Sequence, residues 1–105
     1  MAKVDTISAT GDSGRSYSFD VYPWGPSFNS AGAVYMVLKK NGSNYDPIYI
    51  GQTGDLSERF DNHHKRDCFD RHGKTHIAVH GGSSESRRFD IETDLVRNYS
   101  PVCND

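Results

Sequence analysis

Two strand-length apolar segments, separated by a turn, limit what this chain can fold into. The first segment, AVYMVLK, covers Ala33–Lys39 and is almost continuously apolar, as expected of a buried strand. Asn41-Gly42 then supplies a turn, and PIYIGQ over Pro47–Gln52 reads as a second strand. We therefore predict that these two strands form a β-hairpin, with a loose loop over Lys40–Asp46.

The flanking segments predict two more strands and two helices. These elements are a strand over Ser16–Tyr22, a helix over Leu56–Lys65, a strand over Thr75–His80 and a helix over Glu85–Tyr99. Asp55 followed by Glu58 is typical of a helix N-terminus, and Pro101 lies where a proline commonly follows a helix. Residues 1–16 show no periodicity and are predicted to be a loose arm, and Asp67–Gly73 is predicted to be a loop.

Length and composition restrict the class of protein. A chain of 105 residues with 34% hydrophobic residues is expected to form one domain with a small core. No segment approaches the length of a membrane span, and the N-terminus lacks the apolar run of a secretory signal. Two cysteines are too few for a disulfide framework. We therefore expect a cytoplasmic protein with reduced thiols and no membrane partner.

The net charge of −2 does not indicate nucleic-acid binding by itself, because dedicated nucleic-acid-binding domains are usually basic. One segment, from Arg59 to His80, nevertheless contains five lysines and arginines and all five histidines. This segment is the candidate basic patch. The alternative is an ordinary solvated face, since three acidic residues are interspersed in it.

Both predicted helices carry charged residues on the side that should be apolar. Glu92 lies in the middle of the apolar half of the second helix, beside Arg88, and an unpartnered buried carboxylate would be costly. An ion pair between Arg88 and Glu92, or a metal or ligand at Glu92, would compensate it. In the first helix, Arg59 and His63 share the stripe of Leu56. They are either a snorkelling arginine and a core histidine, or part of a site shared with Glu92.

The order and spacing of these residues resemble the GIY-YIG nuclease family. Tyr49-Ile50-Gly51 is the second motif verbatim, and Ala33-Val34-Tyr35 is similar to the first, with alanine where glycine is usual. The remaining matches are Arg59 and His63 in the helix signature, Glu92 at the position of the metal-binding glutamate, and Pro101 and Asn104 at the end. The resemblance extends from Gly32 to Asn104, about two-thirds of the chain.

The resemblance implies a small α/β (α+β) domain over residues 32–105, with a central three-stranded antiparallel sheet flanked by helices. Residues 1–31 are then an N-terminal extension with one extra strand. The implied activity is metal-dependent hydrolysis of nucleic acid, and we expect a DNA endonuclease. The alternative is a catalytically weak or inactive module of the same fold that binds nucleic acid or a protein. Since no second DNA-binding domain is evident, specificity would come from residues 1–31, a second copy or a protein partner.

The resemblance also implies individual roles. The catalytic residues would be Tyr35, Tyr49, Arg59, His63 and Glu92, and the nucleic-acid contacts would be Lys65, Arg66, Arg71, Lys74 and Asn104. Tyr49, ahead of Tyr35, would be the general base, although a free phenol has a pKa of about 10 and needs a nearby positive charge or a proton relay through His63. Arg59 would clamp the phosphate. Glu92 would hold Mg²⁺ or Mn²⁺.

The histidines support a competing interpretation. His63, His64, Cys68, His72, His76 and His80 are residue types that bind zinc. Neither a paired CxxC nor an HExxH motif is present. If Thr75–His80 is a strand, His76 and His80 share one of its faces. Asn104 also has a second interpretation, in which its side chain fixes the end of the chain.

Overall fold

A computed structural model describes residues 3–25, 28–58 and 64–104 of the chain. The strands are β1 (Asp5–Thr10), β2 (Ser16–Pro23), β3 (Ala33–Asn41), β4 (Asn44–Thr53) and β5 (His76–Gly81). The helices are α1 (Arg66–Arg71) and α2 (Glu85–Tyr99), with 3-10 turns at Leu56–Glu58 and Val102–Asn104. Within the described residues, no helix is long and apolar enough to span a membrane.

The described strands form one antiparallel sheet in the order β1-β2-β5-β3-β4. The α+β class is as predicted, but the sheet has five strands rather than three. Strands β5, β3 and β4 correspond to the three predicted central strands, and residues 1–31 contribute two strands instead of one. The prediction of a loose arm over residues 1–16 is wrong, because this segment contains β1. This edge strand is mostly exposed and is held by pairing with β2, so it has no apolar pattern of its own in the sequence.

The predicted hairpin is present and longer than expected. β3 and β4 pair from Ala33 opposite Thr53 to Asn41 opposite Asn44. The loose loop predicted over Lys40–Asp46 is therefore wrong, since both strands continue through it. Gly42 makes the tight reversal, and its φ of 66° is a conformation that glycine adopts without steric cost.

The two faces of the sheet bury two different clusters. On one face, Ile91 and Leu95 of α2 pack with Val34 and Met36 of β3. On the other face, Phe69 of α1 belongs to a cluster that also contains Ala33, Tyr35, Val37 and Tyr49. Helix α2 has the predicted bounds: the Ser84 hydroxyl accepts a hydrogen bond from the backbone N–H of Arg87, and Ser100 ends the helix in the left-handed region.

The first two strands are fastened to α2 through Asp94. This carboxylate accepts hydrogen bonds from the backbone N–H of Ser13 and from the Tyr17 hydroxyl, both at 2.8 Å. The bonds from Ser13 and then Tyr17 lower the pKa of Asp94 below its ordinary value. Phe19 of β2 is fully buried in the cluster under α2. The strands before residue 32 are thus integral to the sheet, while the division into two units at 31/32 stays a prediction.

The region between β4 and β5 differs from the prediction. The helix expected over Leu56–Lys65 is a 3-10 turn at its described start, and Lys65 is the N-cap of α1. Asp55 does cap the turn, since it accepts a 2.9 Å hydrogen bond from the backbone N–H of Ser57. The loop expected over Asp67–Gly73 is largely α1. A six-residue helix with one buried side chain, Phe69, depends on tertiary packing and leaves no apolar periodicity in the sequence.

The two cysteines are joined. Cys68 of α1 and Cys103 of the C-terminal 3-10 turn form a disulfide across 35 residues of sequence, with their Cα atoms 5.9 Å apart. The prediction of reduced thiols is therefore wrong for this structure. Sequence spacing could not reveal the pairing, because the fold alone brings α1 against the end of the chain. The cytoplasmic location stays a prediction.

Candidate active site

Tyr35 and Tyr49 lie side by side on the sheet face that α1 covers. Tyr35 is opposite Gly51 in the hairpin register, and Tyr49 precedes Gly51 by two residues, so both rings project to the same side. Their centroids are 6.0 Å apart with an interplanar angle of 32°. Tyr35 is fully buried, whereas Tyr49 retains 8% exposure. The structure thus brings the two predicted tyrosines together and leaves Tyr49 the more accessible.

Gly51 provides the space in which the two rings meet. A Cβ atom at this position would lie 2.7 Å from Tyr35 Oη, 2.8 Å from Tyr35 Cζ and 2.8 Å from Tyr49 Cε2. These distances are shorter than ordinary van der Waals contacts. The glycine of the YIG motif is therefore required by the approach of both phenol rings.

We expect Gly51→Ala to lower the free energy of unfolding by about 1–3 kcal/mol, because two buried rings must move to admit one methyl group. Urea denaturation of the purified variant measures this change. Gly81→Ala is the matched control: a Cβ there meets nothing within 4 Å, so its effect should stay within about 0.5 kcal/mol. Equal stability of the two variants would show that the tyrosine pair does not constrain Gly51.

Helix α1 packs its apolar side on Tyr49 and carries basic residues around it. The centroid of Phe69 is 5.4 Å from that of Tyr49, and the His64 ring lies at 6.3 Å. The predicted nucleic-acid contacts near this helix are Lys65, which is half-buried, Arg66 and Arg71, which are exposed, and Lys74, which is half-buried. Lys74 forms an ion pair with Asp70 and lies 4.8 Å from the centroid of the Trp24 ring. The positive charge of Lys74 is therefore partly neutralised by Asp70.

Glu92 is half-buried on α2, one helical turn after Arg88. Arg88 is the buried charged residue that the sequence indicated beside it, with 9% exposure. Its Nε donates to Gln52 Oε1 at 3.2 Å and its Nη1 donates to the carbonyl oxygen of Ser83 at 2.9 Å. The bond to Gln52 fastens α2 to the residue that follows Gly51, and the bond to Ser83 fastens it to the turn before the helix. The neutral partners of Arg88 were not predicted, since Gln52 and Ser83 lie on other elements.

The close backbone approach near the start of β3 occurs at Gly32 rather than at Ala33. A Cβ atom on Gly32 would lie 2.6 Å from Arg88 Nη1 and 2.8 Å from its Cζ. The methyl group of Ala33 is fully buried in the cluster that contains Tyr35 and Phe69. Alanine at the usual glycine position of the first motif is therefore accommodated by packing.

Asn104 completes the outer edge of β4. Its Nδ2 donates to the carbonyl oxygen of Ile50 at 2.8 Å, and its Oδ1 accepts from the backbone N–H of Ile50 at 2.9 Å. Because β4 is an edge strand, these groups would otherwise lack a neighbouring strand. Both ends of the amide thus have partners in the protein, which favours the interpretation that Asn104 fixes the end of the chain.

Two predicted catalytic residues, Arg59 and His63, lie outside the described residues. His76 and His80 share one face of β5, as expected for a strand. The Nδ1 atom of His76 is 2.7 Å from Thr75 Oγ1, and that of His80 is 2.7 Å from the carbonyl oxygen of Ser18. Burial, followed by the charge of Lys40, lowers the pKa of His76.

Comparison with known protein families matches about two-thirds of the chain to one family model. The family model described as the GIY-YIG catalytic domain matches residues 31–101. The match contains β3, β4, β5, both α-helices and the tyrosine pair, and it leaves β1 and β2 outside. Comparisons with curated proteins and with solved structures gave no match.

Proposed function

The chain belongs to the GIY-YIG family, and from that premise we propose that it is a divalent-metal-dependent endonuclease that cleaves DNA. The family consists of nucleases, which implies hydrolysis of phosphodiester bonds and a nucleic-acid substrate. The observation that carries the proposal is the tyrosine pair. The ring centroids of Tyr35 and Tyr49, one from each family motif, lie 6.0 Å apart, and the two rings leave no space for a side chain at Gly51.

Tyr49 is the better candidate for the general base. It keeps some exposure, whereas Tyr35 has none, and a base must lie within hydrogen-bond reach of the attacking water. Tyr35 then acts by position, since its ring packs beside that of Tyr49. The proposed proton path continues from the Tyr49 phenol to His63, because imidazole is the side chain whose unperturbed pKa lies closest to neutral pH.

Glu92 suits the metal that the family uses. A carboxylate is a hard oxygen donor, and Mg²⁺ is commonly held in proteins by one or two carboxylates, with water and phosphate oxygens in the other positions. The cysteine and histidine side chains near α1 are soft donors that do not fit Mg²⁺. When bound at Glu92, Mg²⁺ or Mn²⁺ would supply Lewis acidity at the phosphate. The hydrogen bond from Arg88 to Gln52 would keep α2, the helix that carries Glu92, against the end of β4.

Basic residues would hold the substrate near Tyr49. Arg66 and Arg71 are exposed on α1, the helix whose Phe69 packs on Tyr49. Arg59 is proposed to contact the phosphate that is attacked, because a guanidinium presents two parallel donors to two oxygens. Lys65, the N-cap of α1, and Lys74, which follows the C-terminal end of α1, would add positive charge at the two ends of this helix.

Two observations favour a second candidate, a nucleic-acid-binding or protein-interaction module with little turnover. Tyr35 is inaccessible, and the net charge of −2 does not favour binding to a polyanion. Such a module would bind without cleaving. The two candidates therefore differ in one measurement.

Cleavage of a mixed substrate panel tests the proposal. Single-stranded DNA, duplex DNA, branched DNA and RNA, each end-labelled, are incubated with the protein in Mg²⁺ or Mn²⁺, and binding is measured in parallel in Ca²⁺. We expect metal-dependent cleavage of at least one DNA. Binding of a substrate without cleavage in either metal would favour the second candidate.

Removing the metal should stop catalysis without weakening the fold. We expect excess EDTA to abolish cleavage and to leave the melting temperature of the oxidised protein unchanged, because a metal held by the single half-buried carboxylate of Glu92 contributes little to folding compared with the core. Differential scanning fluorimetry and the cleavage assay, run on the same sample, measure both. Re-addition of Mg²⁺ is the control. A large fall in melting temperature would show that the metal is structural.

A further inference from the structure

Three metal-binding side chains meet where α1 contacts the end of the chain. Cys68 on α1, His72 just after it and Cys103 in the C-terminal 3-10 turn place one ligand atom each within 4.8 Å of one another. Cys68 and His72 are four residues apart and therefore lie on one side of the helix. Cys103 is buried, and the other two are half-buried. The sequence groups Cys68 with His72 as possible zinc ligands, and the fold brings Cys103 beside them.

We propose that the reduced chain binds one Zn²⁺ through the thiolates of Cys68 and Cys103 and the imidazole of His72. Two thiolates and an imidazole are a common zinc donor set, and water or a further side chain completes the tetrahedron. Two sulfurs that are each about 2.3 Å from zinc lie about 3.8 Å from one another in tetrahedral geometry. The two sulfurs are bonded to each other in the disulfide, so on reduction they must move apart to this distance, while the His72 ligand atom already lies within 4.8 Å of both.

The disulfide and the zinc site exclude each other, because a disulfide sulfur is not a thiolate. A dithiol reductant breaks the Cys68–Cys103 bond by supplying two electrons and two protons, and it is itself oxidised to a disulfide. Binding of Zn²⁺ then forms two Zn–S bonds and one Zn–N bond and releases the two thiol protons to solvent. No other reactant is needed.

Either the disulfide or the zinc ion would hold α1 and the C-terminal 3-10 turn together. Phe69, the residue after Cys68, packs on Tyr49, and Asn104, the residue after Cys103, bonds to the backbone of Ile50. A bond between Cys68 and Cys103, direct or through zinc, therefore holds α1 over the YIG segment of β4. In a reducing compartment the disulfide is lost, and zinc would replace it in this role.

Cobalt titration tests the site independently of nuclease activity. The wild-type protein is reduced with dithiothreitol, desalted without oxygen and titrated with Co²⁺. We expect one equivalent to give thiolate-to-cobalt charge-transfer absorption and the visible bands of tetrahedral Co²⁺, and one equivalent of Zn²⁺ to bleach them. The oxidised protein should give neither band. The absence of charge-transfer absorption in the reduced wild type would overturn the proposal.

Two variants identify the third ligand. His72→Asn should weaken binding by about 10²-fold or more, since loss of supporting groups around a metal already costs about 10–100-fold. His76→Asn, on β5, is the matched control and should bind as the wild type does. Circular dichroism follows the fold throughout: if reduction unfolds the chain, Zn²⁺ should restore it. Wild-type affinity in His72→Asn, or a reduced chain that neither binds cobalt nor refolds with zinc, would refute the site.

Discussion

Replacing Glu92 with glutamine is expected to abolish metal-dependent cleavage, a loss on the order of 10³-fold or more, about 4 kcal/mol in transition-state stabilisation. Glutamine has the shape of glutamate but lacks the charge that holds a divalent cation. Glu92 is half-buried on α2, so the neutral side chain should leave the fold intact. Single-turnover cleavage in Mg²⁺, measured beside substrate binding and the melting temperature, gives the three values needed.

The same substitution elsewhere on α2 provides the control. Glu85 is exposed in the first turn of the helix, and Glu85→Gln should cleave at the wild-type rate. Loss of cleavage in Glu92→Gln with binding and melting temperature preserved would support the metal role. Wild-type turnover in this variant would remove Glu92 from the mechanism and leave it as a structural residue of α2.

The parts of the fold that could be predicted are those in which local pattern and tertiary packing agree. The alternation of Tyr17, Phe19 and Val21 indicates β2, and these three side chains are buried. Helix α2 is 15 residues long and has clear signals at both ends. Elements that depend on neighbours were missed: β1 needs β2 as a pairing partner, and α1 needs Tyr49 and Trp24 to cover Phe69.

The candidate site, like the fold, has features that local sequence pattern predicts and features that it does not. The pairing of the two motif strands follows from a hairpin whose turn is visible in the sequence, but the register that places Tyr35 opposite Gly51 also depends on a β-bulge or irregularity between Val37 and Leu38. Contacts between distant segments were not predictable. The partners of Arg88 come from β4 and from the turn before α2, and the Cys68–Cys103 pairing spans 35 residues. No periodicity within one segment encodes such contacts, because they depend on how the elements pack.

Arg59→Lys is expected to reduce single-turnover cleavage on the order of 10²-fold or more, about 3 kcal/mol. Arg59 lies outside the described residues, and in the sequence it occupies the arginine position of the family's helix signature, eight residues after Gly51. Lysine keeps the charge and most of the stem but cannot present the planar fork to a phosphate. Ground-state binding should fall far less, because most affinity for a polyanion comes from other phosphate contacts.

The two interpretations of Arg59, a snorkelling side chain and a phosphate clamp, predict different outcomes for Arg59→Lys. A snorkelling side chain acts through its stem and charge, so lysine should preserve both stability and cleavage. A clamp acts through geometry, so cleavage should fall while the melting temperature and binding stay close to those of the wild type. Arg97→Lys, at an exposed position in the last turn of α2, is the matched control and should change none of the three. Near-normal cleavage by Arg59→Lys would refute the clamp and assign Arg59 a structural role.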